Sequence, residues 1–173
     1  LNRAFGNGFG VVTGDFDGDG NIDIFVANDM MVNQLWLNRG SFQFDEEAML
    51  RGVAVDEYGV AKAGMGVASG DIDDDGDLDI LVSVLGSVWP DNRKIGQVVL
   101  LENDGSQNFS ARVLLDDLRR VTDVQPADFD ADGDLDLGVA VFGYELGEIL
   151  WLENRGGGRF RDHRLLFIDG TVH

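Results

Sequence analysis

The chain has no cysteine, which excludes disulfides, thiolate nucleophiles and zinc–thiolate sites. It has two histidines and no G-x-S-x-G element, so a nucleophilic triad has nothing to be built from. No apolar run approaches the roughly 20 residues of a membrane-spanning helix. Positive charge is scarce: 13 Lys and Arg stand against 32 Asp and Glu, for a net charge of −19. That balance argues against nucleic acid and anionic membrane surfaces as partners. No signal peptide is present, and the opening on Leu1 rather than Met reads as a processed or excised piece. High charge can mark disorder, but 44% hydrophobic residues in strand-like runs point to a packed core. A length of 173 residues suits one domain.

The negative charge is not scattered. One wording, D-x-D-x-D-G-x-[IL]-D, occurs at 15–23, again at 71–79 and again at 128–136. A hard divalent cation takes six to eight oxygens at roughly 2.3–2.6 Å, and carboxylates at alternate positions of a tight loop can supply them. The sixth residue is glycine each time (Gly20, Gly76, Gly133), which permits the sharp turn round an ion. An EF-hand would run on to a Glu at position twelve between two helices. Here position nine is already Asp, and apolar strand-like residues follow: Ile24, Phe25 and Val26; Ile80, Leu81 and Val82; Leu137, Gly138 and Val139. These are therefore read as three calcium loops joining strands, with magnesium disfavoured by an all-carboxylate cage.

The repetition extends beyond the loops. A short apolar run precedes each (9–12, 65–68, 121–124), and a third strand recurs at 34–38, 98–103 and 149–154. Turn residues follow at Asn38-Arg39-Gly40, Asn103-Asp104-Gly105 and Asn154-Arg155-Gly156. Aromatic-led fourth strands are expected at 42–44, 109–113 and 160–166. Four strands per unit predict an all-β fold of β-propeller blades, with units near 5–60, 61–117 and 118–173. Residues 46–51 give the single helical hint, too short to stand alone. Trp36 and Trp151 read as matching third-strand positions and are assigned to blade packing.

These repeats resemble the FG-GAP/VCBS family, whose integrin-α-type propeller blades carry D-x-D-x-D-G-x-x-D loops between their first two strands. Phe9, Gly10 and Gly14 match the opening of such a repeat, and Met65, Gly66 and Gly70 are a close variant. The third copy departs, with Thr122-Asp123 in place of the opening pair and Ala127 in place of the glycine. The stretch from 26 to 70 also resembles the repeat region of ASPIC/UnbV-type and cartilage-acidic-protein-like chains. The resemblance implies side-chain ligation at positions one, three, five and nine: Asp15, Asp17, Asp19, Asp23; Asp71, Asp73, Asp75, Asp79; Asp128, Asp130, Asp132, Asp136. Asn21, Asp77 and Asp134 at position seven would offer backbone carbonyls, and Asp74 would point to solvent. Each of the three calcium ions would be structural, pinning a loop between two strands.

Such blades place their second-to-third-strand loops on the rim opposite the metal. The longest runs from 86 to 96 and joins Trp89 to the polar Asn92 and Arg93, a combination suited to a glycan or a protein. The plainer reading packs Trp89 under its own loop, and Tyr144 and Glu145 on the same rim divide likewise. Arg155, Arg159, Arg161 and Arg164 surround a glycine run that no helix follows, so a charged hairpin is favoured over a phosphate cradle. His163 is read as a surface residue. The function expected is a non-catalytic, extracellular calcium-binding module for adhesion or for a protein or glycan ligand. The alternatives are the propeller of a polysaccharide lyase or glycosidase and a self-assembling structural protein. A ring needs four to eight blades, and residues 1–3 and 171–173 read as parts of neighbouring blades. Further blades in a longer chain are therefore expected, or identical chains that complete a ring or open assembly.

Overall fold

The computed structural model describes residues 6–56, 58–86, 93–143 and 146–169. Twelve strands lie in chain order: β1 (Gly8–Gly14), β2 (Asp23–Asn28), β3 (Gln34–Asn38), β4 (Phe44–Glu46), β5 (Gly64–Gly70), β6 (Asp79–Val84), β7 (Gly96–Asn103), β8 (Phe109–Leu118), β9 (Arg120–Ala127), β10 (Asp136–Phe142), β11 (Leu146–Asn154) and β12 (Phe160–Asp169). They form three four-stranded sheets in which each strand neighbours the next in sequence, and every pairing is antiparallel. This is the expected all-β architecture of propeller-type blades. One short helix, α1 (Ala48–Arg51), follows β4 and stops at Gly52, whose φ is 84°. The segment beyond α1 lays Val53 and Ala54 under the first two sheets.

Two cores fill the gaps between three sheets. Phe25, Leu35 and Leu37 of the first sheet meet Ile80, Val82 and Leu101 of the second. On the other side, Leu81, Val98 and Leu100 meet Leu137, Val139 and Leu150 of the third. The second sheet is thus covered on both faces, and every residue of β6 is buried. That accounts for its unbroken apolar run, since a strand covered on both sides has no solvent face to alternate with.

The first strands approach most closely. A Cβ on Gly10 would overlap the Met65 carbonyl oxygen, and one on Gly66 would overlap Asp123. Gly14 and Gly70, just before the loops, admit Leu78 and Leu135 of the next sheet. Glycine is required at these places by backbone proximity. The third sheet carries Asp123 and Ala127 at the corresponding positions, and no sheet packs against that face among the described residues. Phe129 lies over Gly138 of its own sheet and is 55% exposed, whereas Phe16 and Ile72 are 1% and 0% exposed between sheets.

The structure corrects two strand-level expectations. The fourth strand of the first sheet begins at Phe44, not Phe42: Ser41 and Phe42 have φ of 53° and 60° and belong to the turn. Nor do Trp36 and Trp151 match. Trp36 pairs with Ile24, position ten of its repeat, while Trp151 pairs with Gly138, position eleven. Counted back from the third-strand asparagine, Trp36 stands two places before Asn38 and Trp151 three before Asn154, and a one-residue offset moves a side chain to the opposite face. Trp36 therefore faces away from the second sheet on one side of the array and Trp151 on the other, where it stacks on His163 at 4.8 Å. His163 is accordingly partly covered, with Nε2 2.6 Å from Glu153 Oε2. The expectations for residues 1–3 and 171–173 lie outside the described residues.

Asparagines at the ends of β7 and β11 fasten neighbouring sheets. Asn103 Nδ2 donates to Leu78 O at 3.2 Å in its own sheet and to Phe16 O at 3.1 Å in the first loop. Asn154 Nδ2 repeats this with Leu135 O (3.2 Å) and Ile72 O (3.1 Å). Asn38, with no preceding sheet among the described residues, reaches only Ile22 O at 3.1 Å. Asn103→Ala should therefore lower the unfolding free energy by about 1–3 kcal/mol, because it strands two carbonyls. Asn38→Ala should cost less, and urea denaturation of the two variants measures the difference.

Candidate metal centres

Each D-x-D-x-D-G loop joins the first two strands of a sheet, so all three lie at the same end of the array as the third-to-fourth-strand turns. The loops close on themselves through backbone amides. Gly20, Gly76 and Gly133 take φ of 88°, 97° and 104°, and their N–H groups donate to the position-one carboxylates Asp15, Asp71 and Asp128 at 2.9, 3.1 and 3.3 Å. The next residues, Asn21, Asp77 and Asp134, donate their N–H to Asp19, Asp75 and Asp132 at 2.8, 3.0 and 3.0 Å. Asp19 is held below its usual range by those bonds from Asn21.

Ligand-type oxygens gather in all three places. Asp15, Asp17 and Asp19 bring one oxygen each to within 4.8 Å of one another, as do Asp71, Asp73 and Asp75, and Asp128, Asp130 and Asp136. The donor set fits a hard cation because some oxygens are buried without a protein partner: Asp17 Oδ1, Asp71 Oδ1 and Asp73 Oδ1 have no hydrogen bond among the described residues. Buried acceptors are normally satisfied, and an ion would satisfy these. All three groups have the spacing that could hold a metal ion, and in the first two the unpartnered oxygens add to it.

The position-nine aspartates do something further. Asp23 accepts Phe16 N–H at 2.9 Å and Asn38 N–H at 2.8 Å. Asp79 accepts Ile72 N–H (3.0 Å) and Asn103 N–H (2.8 Å), and Asp136 accepts Phe129 N–H (3.1 Å) and Asn154 N–H (2.7 Å). In every case one oxygen holds the loop and the other holds the end of the third strand. Asp23 and Asp79 stand outside the gathered groups, whereas Asp136 is inside its group and Asp132 is not. Burial raises Asp23, and it pushes Asp79 up to about 6 despite its two amide bonds, with Asp73 and Asp75 adding repulsion.

Several partners of the loops were not foreseen from sequence. Arg39 Nη1 meets Asp17 Oδ2 at 2.7 Å. Asp74 is exposed, as expected, and lies beside Asp134 of the next loop, where burial followed by the Asp74 carboxylate raises Asp134. Arg112 donates to Gly158 O at 2.9 Å and pairs with Glu102 at 3.4 Å beside the second loop. The signal that could have exposed the asparagine ties was the third-strand Asn recurring in each repeat, which reads equally well as turn chemistry. Of the proposed ligand platform, Trp89, Asn92 and Tyr144 lie outside the described residues, as does Glu145, and Arg93 is exposed. The arginine run disperses: Arg155 pairs with Glu153 (3.0 Å), Arg164 with Glu148 (3.2 Å), and Arg159 bonds Gly156 O (3.2 Å). A separate apolar cavity of about 100 Å³ lies between the first two sheets, with the Asp56–Lys62 ion pair (3.0 Å) in its wall.

The raised Asp79 gives a pH signature. Between about 4 and about 6 the unfolded chain ionises this carboxyl while the folded chain keeps it protonated. The folded state then binds more protons, so this group's stabilisation is present below about 4 and is lost as pH rises through about 6. In chelator, the urea midpoint of the wild type should fall more steeply over that interval than that of Asp79→Asn. Equal slopes would show that Asp79 does not carry the effect.

Residues 6–82 match the family model described as the FG-GAP-like repeat. A search of the curated proteins found no match to the chain. The matched stretch holds the first sheet, two of the three loops and most of β6, and the third sheet repeats its strand order and its loop-to-asparagine bonds. Residues 6–82 thus match an FG-GAP-like repeat, consistent with the FG-GAP/VCBS family, and a third sheet of the same build follows them.

Proposed function

We propose that the chain is a calcium-loaded propeller segment of an extracellular protein, acting as a non-catalytic module for adhesion or for binding a protein or glycan. The observation that carries the calcium reading is the buried, unpartnered carboxylate oxygen found in the first two loops, Asp17 Oδ1, Asp71 Oδ1 and Asp73 Oδ1, beside two further carboxylates each time. An all-oxygen, carboxylate-rich donor set on a flexible loop suits calcium better than magnesium, which keeps its waters and demands a tighter octahedron. When bound, the ion would offset the mutual repulsion of the aspartates, and the protein's own residues would supply the scaffold. Asp23, Asp79 and Asp136 tie each loop to its third strand, and Asn103 and Asn154 tie it to the sheet before.

The extracellular assignment rests on matching such solvent-facing loops to a millimolar calcium supply. The segment also suits a larger propeller, since the outer face of the first sheet leaves Val11 and Ile22 exposed. Ile22 matches Leu78 and Leu135, which pack onto a preceding sheet. A further blade with glycines like Gly14 and Gly70 would fit there. A ligand would lie on the rim opposite the metal loops, where connections differ most in length.

Calcium should raise the melting temperature by several degrees or more over chelator, because a ligand that binds only the folded state stabilises it by mass action. Magnesium at the same concentration should restore little. Identical melting in calcium and in chelator would contradict the proposal.

A further inference from the structure

The three loops share a motif but not a set of counter-charges. In the first, the Asp17 side chain is 2% exposed; Oδ2 is paired with Arg39 Nη1 at 2.7 Å, and Oδ1 is buried without a hydrogen-bond partner among the described residues. Arg39 is itself fixed, by Glu47 Oε1 at 2.9 Å and Asp45 Oδ2 at 3.3 Å, and Glu47 is held in turn by Arg51 at 2.7 Å. The guanidinium is therefore a placed cation, oriented by an ordered chain of charges rather than a loose surface arginine.

The other repeats lack this device. The residue after the third-strand asparagine is Asp104 in the second repeat. In the third it is Arg155, which turns to Glu153 instead. None of the ion pairs found among the described residues reaches a carboxylate of the third loop. That loop also has Asp74 of the preceding loop against Asp134, which adds negative charge beside it.

Resting on the calcium reading above, we infer that Arg39 is a resident counter-cation of the first loop. In the metal-free chain its charge pair with Oδ2 holds the buried Asp17 side chain in place, the task calcium performs elsewhere. The first loop consequently holds its form without metal and binds calcium more weakly than the third. The sign follows from Coulomb repulsion between a guanidinium and a divalent ion sharing one carboxylate, moderated by solvent at a side chain 31% exposed. By reciprocity, whatever calcium costs the Arg39 pairing, Arg39 costs calcium.

The test is calorimetric titration of calcium chloride into chelator-stripped whole chain, for wild type, Arg39→Gln and Asp17→Asn, with melting curves in parallel. Asp17→Asn should remove the weakest class of site, which assigns that class to the first loop. Arg39→Gln should tighten the same class roughly three- to tenfold and lower the melting temperature more in chelator than in calcium. If Arg39→Gln leaves that class unchanged or weakens it, the arginine positions Asp17 for the ion instead of standing in for it, and the inference is overturned. Loss of a tight class in Asp17→Asn overturns it too. No calcium heat in wild type would defeat the calcium reading itself, a result distinct from either.

Discussion

A carboxylate with both oxygens taken by backbone amides is the joint on which this array turns. Asp23, Asp79 and Asp136 each grip their own loop with one oxygen and the start of the third-to-fourth-strand turn with the other. Hydrogen bonds to ionised groups are among the stronger ones a fold can make, and here they are made where the chain must reverse. The cost is the burial of a charge beside several like charges, visible in the upward displacement of Asp79. A cation bound to the loop offsets that cost, so the acidity of the motif and the stability of the sheet belong to one problem.

The joint also propagates. The asparagine whose amide binds Asp79 or Asp136 sends its side chain into the preceding loop, to Phe16 O or Ile72 O. A metal loop is therefore part of the contact between sheets, and loosening one loop loosens an interface. The first-strand glycines set how near two sheets may come, and the replacement of Gly10 and Gly66 by Asp123 makes the two ends of the array unlike. A neighbour meeting the third sheet would encounter a side chain where the two internal interfaces have none. The outer faces of the first and third sheets are thus chemically unlike.

The repeat unit, the all-β class and the loop positions were legible in the sequence because they rest on local rules: alternate carboxylates, a turn glycine, apolar runs of strand length. The helical hint at 46–51 became α1 for the same reason. What escaped depends on register and distance. Trp36 and Trp151 look equivalent from their Leu-Trp-Leu setting, yet they stand at different distances from the third-strand asparagine, and only the pairing shows it. Phe42 read as strand, yet it lies in a turn built on three successive positive φ values at Gly40, Ser41 and Phe42. The Arg39–Asp17 pair spans 22 residues, and the Asn103 and Asn154 ties span 87 and 82. No local pattern marks such partners, although the recurrence of Asn after each third strand hinted that the residue did more than turn the chain.

On the calcium reading each acidic loop is a separate metal site. The most direct measurement is the number of calcium ions that one chain retains, read by native mass spectrometry across a calcium titration. The account predicts a final mass three calcium ions above that of the stripped chain, and a loss of one ion in each of Asp17→Ala, Asp73→Ala and Asp130→Ala. A folded chain that retains none, or a count that these substitutions leave untouched, would contradict it.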